Sequence, residues 1–373
     1  MIERIFHPIG QGAFYSERHN NFNIVYDCGN WKDTLEANKV VERAFKKDEV
    51  IDILFISHFD YDHVNKIKTL NEHTKIKKVV MPLLHDEEKT LLINLYKALD
   101  FQIWTLIENP QEFFGQETQI ITVQESEDNE RPINDNITID LENLKTTNIQ
   151  SGSILRKTFN SYKWVFIPYN YLCNSRKIEL EKLLRSSGFD VEKLKNDSKY
   201  TIDEIVSRRT EIKKIYTKVK GNINQNSMLL YSGINCLYKD CKQEAFCFDC
   251  PYRYFRCYAE FHHIRWYRMV KQRHRVSCIY TGDTDLNKVK IKSIFKFFWE
   301  SVGTIQIPHH GDLKSFDKSI LDDKYYWCPI SVGEKNSYGH PSYKLISEIV
   351  VQNSYPILVT EDLNSGFVEC IRF

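Results

Sequence analysis

The chain has 373 residues, 42% of them apolar and 13% aromatic, enough for one large core or two ordinary ones. Its formal net charge of +1 selects no class of partner. No long apolar leader follows Met1, and no uncharged run approaches the roughly 20 residues needed to cross a bilayer, so a cytoplasmic protein without a membrane role is expected. The ten cysteines are then expected to be free, buried or metal-bound rather than paired. Charge is uneven locally: between Glu108 and Asp140 nine acidic residues face only Arg131, and between Pro251 and Arg275 seven Lys/Arg face only Glu260.

In chain order, strand-like runs at Glu3–Ile9 and Phe22–Gly29 flank a Gly10-Gln11-Gly12 turn, and residues 33–48 carry amphipathic helical spacing. The apolar run Ile51–Ile56 reads as a buried strand leading directly into Ser57-His58-Phe59-Asp60-Tyr61-Asp62-His63. A strand is predicted at Lys77–Met81, a helix over 86–99, and strands over 101–107 and 119–124. Glu125–Asn136 reads as an exposed loop. Residues 160–220 form a predicted helical insertion, nearly all helix over 175–219, its mixed charges read as a solvated face. Strands return at Ser227–Tyr231 and Val276–Tyr280, on either side of a Cys-rich insertion over 234–275. A helix over 287–299 and strands at Thr304–Ile307 and Tyr325–Val332 continue a single α/β domain spanning 1–373.

Two imidazoles and two carboxylates between His58 and His63, at the end of a buried strand, are costly to group unless a cation neutralises them. The competing reading is a polar loop whose aspartates cap a helix. Four further segments also end apolar strands: Asp27-Cys28-Gly29, Thr281-Gly282-Asp283, Pro308-His309-His310-Gly311 and Tyr338-Gly339-His340-Pro341. Each is weak alone; their shared position makes the set specific.

These motifs, in this order, resemble the metallo-β-lactamase fold hydrolases, and most of all the β-lactamase-like domain of the ComEC competence family. Gly10-Gln11-Gly12, Asp27-Cys28-Gly29, the His58/Asp60/Asp62/His63 signature, Asn226-Ser227, Asp283, His309–Gly311 and Ser331–Pro341 carry the resemblance over residues 3–107 and 222–373. It implies an αββα sandwich with a metal site along one edge. His58, Asp60 and one of His309/His310 would hold a first divalent ion, with His309 taken as that ligand. Asp62 and His63 would hold a second, with Asp283 bridging. Asp62, His310 and His340 are the expected catalytic residues, the histidines contacting phosphate or protonating the leaving oxygen. Asp27 would orient ligand loops.

Two departures bear on chemistry. Asp60 replaces the usual histidine, which moves preference from zinc toward manganese or magnesium and from β-lactam toward phosphodiester hydrolysis. The usual histidine before the Gly-Asp strand is missing from Asn222–Ser227. Asn65-Lys66, where Gly-Gly often follows, is expected to narrow one wall of the site and add a charge to it.

In the Cys-rich insertion, Cys247 and Cys250 have the spacing that grips one tetrahedral ion, and Cys241, Cys247, Cys250 and Cys257 are the expected structural zinc ligands. Buried free thiols are the alternative. Arg253, Arg256, Arg265 and Arg268 alternate with aromatics, a pattern suited to nucleic acid, or else to packing with exposed arginines. The whole pattern leads to a metal-dependent phosphodiester hydrolase, foremost a nuclease. The alternatives are a small-molecule (cyclic nucleotide-like) phosphodiesterase, and a non-catalytic nucleic-acid-binding or partner-dependent subunit of a defence complex. Nucleic acid is the expected partner, with a protein partner or self-association also open; relatives of the ComEC domain in bacterial defence systems make an antiviral role consistent with the resemblance.

Overall fold

Two β-sheets lie face to face, each covered on its outer side by helices. The computed structural model describes residues 1–133, 137–172, 175–197, 208–218, 227–235, 246–249, 275–321, 324–337 and 339–373. Across the first sheet the strands are Asn148–Ile149, Gln119–Val123, Lys78–Pro82, Ile53–Phe55, Phe22–Asn30, Gly12–His19, Ile2–Phe6, Phe367–Arg372 and Phe246–Asp249. Across the second they are Tyr355–Val359, Trp327–Ser331, Val302–Ile305, Ser277–Tyr280, Leu229–Ile234, Lys163–Tyr169, Ile154–Thr158 and Thr138–Asp140.

Strands buried on both faces must be apolar on both, and these are. From the first sheet, Phe6, Tyr26, Phe55 and Val80 point inward against Trp164, Phe166, Leu230 and Tyr280 of the second. On the first sheet's outer face, Val25, Leu54 and Val79 pack under the helices Leu35–Ala44, Ile67–His73 and Asp86–Leu99. On the second sheet's outer face, Ile279, Ile305 and Ile330 meet Ile294, Leu345 and Ile349. Asp86–Leu99 has three acidic residues in its first turn and a left-handed cap at Asp100, both favourable helix ends.

A buried charge cluster joins the sheets. Arg4 Nε meets Glu17 Oε1 at 2.7 Å and Arg4 Nη1 meets Glu369 Oε2 at 2.9 Å, all within the first sheet. From the second sheet, Ser232 (2.7 Å) and Tyr280 (2.9 Å) donate to Glu17, Thr304 (2.6 Å) donates to Glu369, and the Val276 carbonyl accepts from Arg4 (3.1 Å). Burial pushes the Glu17 carboxyl up, but Arg4 and His19 prevail and bring it down to about 2.

Several sequence expectations change. The segment predicted as a strand over 101–107 turns into the helix Trp104–Glu108, because Ile103, Leu106 and Ile107 recur at helical spacing and bury together. The range 160–220 begins with the strand Lys163–Tyr169, paired antiparallel with Leu229–Ile234; helices start only at Ser175. These insertion helices dock on Asp86–Leu99: Leu180, Leu184, Phe189, Leu194 and Ile212 join its core, and Asn94 donates to the Leu194 carbonyl at 2.7 Å. Over 287–299, the α-helix is confined to Ile291–Ile294. Within the Cys-rich range, Phe246–Asp249 extends the first sheet by pairing with Phe367–Arg372, which puts Cys247 on a strand. Cys241, Cys250, Cys257, Arg253, Arg256, Arg265 and Arg268 lie outside the described residues. Among the described residues, no helix is long and apolar enough to cross a membrane.

Candidate metal centre

Strands Phe22–Asn30, Ile53–Phe55 and Lys78–Pro82 of the first sheet run parallel, as do Ser277–Tyr280, Val302–Ile305 and Trp327–Ser331 of the second. Their C-terminal ends deliver the five sequence motifs to one edge of the sandwich, where ligands bind in layered α/β folds. After Phe55 the chain makes one turn, and the short helix Tyr61–Val64 presents Asp62 and His63. Gly29 is required beneath this helix: a Cβ there would stand 2.5 Å from the Asp62 carbonyl. Asp60 occupies the N-cap position, yet its side chain makes no capping hydrogen bond, so helix capping does not account for the carboxylate.

Asp283 is central. Its Oδ1 lies 3.2 Å from His63 Nε2, and its Oδ2 lies 4.0 Å from both His58 Nε2 and His309 Nε2. His58 Nε2 stands 3.9 Å from Asp60 Oδ2, and His310 Nε2 stands 3.0 Å from Asp62 Oδ2. Among the described residues, two sets of donor atoms converge within 4.8 Å, His58/His63/Asp283 and Asp62/His63/His310, and every member is buried. Atoms sharing one ion at about 2.0–2.2 Å must approach one another to a similar degree. Of the adjacent histidines, His310 is the one that faces Asp62 and His63. His309, with 17% of its side chain exposed, lies toward Asp283 and His340, its ring centroid 6.0 Å from that of His340.

The remaining ring nitrogens are held. His63 Nδ1 meets Asp27 Oδ2 at 2.8 Å, and Asp27 also accepts from the Ser57 amide (2.7 Å) and hydroxyl (2.6 Å). His58 Nδ1 meets Ser57 Oγ at 2.7 Å, and His310 Nδ1 donates to the Ser331 carbonyl at 2.9 Å. Each contact fixes Nδ1 and leaves Nε2 facing inward, and the His63–Asp27 pair is the carboxylate–histidine arrangement common behind metal ligands. His63 Nε2 is buried without a well-aligned hydrogen-bond partner, as a ligand atom would be. The mixed donor set, two imidazoles and one carboxylate in each group, therefore fits a divalent cation.

Electrostatics agree. Burial opposes an imidazolium at His63, but Asp283 and Asp27 raise its pKa well above the ordinary histidine value. Burial likewise opposes charge at His310, and the bond to Asp62 raises it. Burial pushes Asp283 up, yet His63 and His309 hold it well below the usual carboxylate range; His310 and His63 lower Asp62 in the same way. A cation bound there would compete with protonation of these groups. His340, half-buried, is lowered by burial against the pull of Asp312.

Lys66 corrects one expectation. Its side chain is buried and pairs with Asp33, with Asn38 at 2.7 Å, so its charge is neutralised at the start of helix Leu35–Ala44 rather than lining the site. Asn65 binds the Asn30 backbone in both directions, at 2.8 and 2.6 Å. The sequence assigns no role to Ser57 and Ser331, which lie inside motifs, or to Gln306, which lies in the predicted strand leading into one.

Residues 13–140 match the family model described as the metallo-beta-lactamase superfamily. No curated protein matches the chain. Among solved structures it is similar to the metallo-beta-lactamase fold protein YhfI from Bacillus subtilis, at 9% identity and a TM-score of 0.36, covering 99% of this chain and 100% of that one. The superfamily match, together with facing sheets, outer helices and a His/Asp cluster at one edge, gives this chain the metallo-β-lactamase fold, an architecture of metal-dependent hydrolases.

Proposed function

We propose that the chain is a metal-dependent phosphodiester hydrolase acting on nucleic acid, a ComEC-like nuclease. The observation that carries this reading is the buried convergence of Asp60, Asp62 and Asp283 with His58, His63 and His310. Three carboxylates favour a hard cation such as Mn²⁺ or Mg²⁺, the usual partner of phosphate oxygens. Asp62, His63 and His310 would hold one ion and His58 and Asp60 a second, with Asp283, 3.2 Å from His63 and 4.0 Å from His58, available to either. When bound, such ions supply Lewis acidity toward a phosphoryl oxygen and acidify water.

The chain's own residues do the rest. Asp27 and Ser57 fix the rings of His63 and His58, so little reorganisation accompanies reaction. His309 and His340 lie at the more open side, where a substrate phosphate enters. Burial favours neutral His340, a form that can accept a proton from water or a hydroxyl. In this reading Arg253, Arg256, Arg265 and Arg268 would supply phosphate contacts, the aromatic residues that alternate with them would supply stacking, and Cys241, Cys247, Cys250 and Cys257 a structural zinc site.

The test is a Mn²⁺-supplemented cleavage assay on single- and double-stranded DNA and RNA and on a cyclic nucleotide, with wild type beside Asp62→Ala. Cleavage by wild type alone is expected. Hydrolysis of only a small phosphodiester would replace the nuclease reading, and inactivity on every substrate would favour a partner-dependent or binding role.

A further inference from the structure

Gln306 sits between the two turns that carry Asp283 and the His309/His310 pair, and its side chain is buried. Its Oε1 accepts from the backbone amides of Thr281 (2.7 Å) and Gly282 (2.8 Å). Two amides aimed at one atom identify it as the oxygen, so Nε2 is fixed as the donor. That nitrogen donates to the Ile307 carbonyl (2.8 Å) and, more weakly, to the Gly282 carbonyl (3.3 Å). The Gly282 carbonyl also accepts from the amide of His309 at 3.3 Å, so one peptide unit ties the Asp283 turn to the His309 turn.

Local geometry makes this hold necessary. Gly282 adopts φ +52°, a left-handed conformation, and a Cβ there would stand 2.2 Å from Ser227 Oγ. The turn therefore cannot complete a regular hydrogen-bond ladder, and the Thr281 and Gly282 amides need a side-chain acceptor. Ser227 Oγ accepts the next amide, that of Asp283, at 2.9 Å. Asp283 is thereby aimed from two sides, with Gln306 setting the turn and Ser227 setting the residue itself.

We infer that Gln306 is a positioning residue for the cation site, holding Asp283 in register with His309 and His310. The inference rests on the metal-site reading above, and its test separates the two. The metal-free full-length protein is titrated with Mn²⁺ by calorimetry, and its Co²⁺ visible spectrum is recorded. Wild type, Gln306→Met and Gln306→Glu are compared, with the metal-free melting temperature of each measured in EDTA. Gln306→Met removes both roles of the amide at similar volume and is expected to weaken Mn²⁺ binding about 10–100-fold, the usual cost of losing a group behind a ligand. Gln306→Glu keeps the acceptor for Thr281 and Gly282, so it is expected to bind Mn²⁺ between wild type and Gln306→Met and to remain testable if Gln306→Met does not fold. A shifted Co²⁺ spectrum in either variant is also expected. Wild-type affinity and spectrum in both variants, even with lowered melting temperatures, would reduce Gln306 to a structural role. Failure of wild type to bind either metal would overturn the underlying metal reading instead.

Discussion

Among the described residues, two buried clusters of charge differ in the cations set against their carboxylates. Between the sheets, Glu17 and Glu369 close on Arg4, with hydroxyls of Ser232, Tyr280 and Thr304 on the carboxylate oxygens. At the sheet edge, Asp60, Asp62 and Asp283 lie beside His58, His63, His309 and His310. A guanidinium is a permanent cation, whereas an imidazolium is a reversible one. The first cluster locks the sandwich; the second presents donor atoms that could hold a metal ion.

The largest expected effect comes from breaking the second cluster. Asp62→Ala should lower cleavage by about a thousandfold or more, since metal assistance supplies several kcal/mol of barrier lowering. Its folding free energy, measured by urea denaturation, should fall far less. Breaking the first cluster should do the reverse. Arg4→Met strands two buried carboxylates and should cost about 3–5 kcal/mol in the same denaturation experiment, with metal stoichiometry of the folded fraction unchanged.

Asp27→Asn sharpens the comparison at an intermediate scale. It leaves the ligands in place but weakens the orienting bond to His63, and should reduce Mn²⁺ affinity about 10–100-fold by calorimetry. Acidity should also separate the clusters. His63 and His310 are raised in the metal-free protein, so metal affinity should fall progressively as pH drops through their titration. Glu17 is depressed to about 2, so its stabilising contribution is fully present above its unfolded value and is lost only in stronger acid, as pH falls toward 2. Urea midpoints and Mn²⁺ titrations over one pH series would resolve the order; loss of both in parallel would merge the clusters into one system. The smallest effect belongs to Lys66→Met, about 1–2 kcal/mol of stability with unchanged Mn²⁺ affinity, because its charge is turned toward Asp33.

What the sequence revealed follows from locality. The edge cluster was legible because apolar strands stop abruptly at polar ligands, as Phe55–Ile56 does before His58, and this signal lies within a few residues. The pairing of His310 rather than His309 with Asp62 was not legible, since it depends on left-handed backbone at both histidines, φ 51° and 53°. Arg4 and Glu369 are separated by nearly the whole chain, so nothing near either one announces the clamp. The strand expected over 101–107 failed because a short apolar run has no decisive period; the left-handed Asp100 ends the preceding helix and the next segment re-enters a helical turn. Lys66 read as a site charge because burial of a lysine against a distant Asp33 leaves no mark in the surrounding sequence.

The most direct measurement is the divalent metal content of the purified full-length chain, dialysed against Mn²⁺ and then metal-free buffer, beside Asp62→Ala. The account predicts one or two ions per wild-type chain and a clear deficit in the variant. Equal content in both, or none in wild type across Mn²⁺, Zn²⁺ and Mg²⁺, would contradict it.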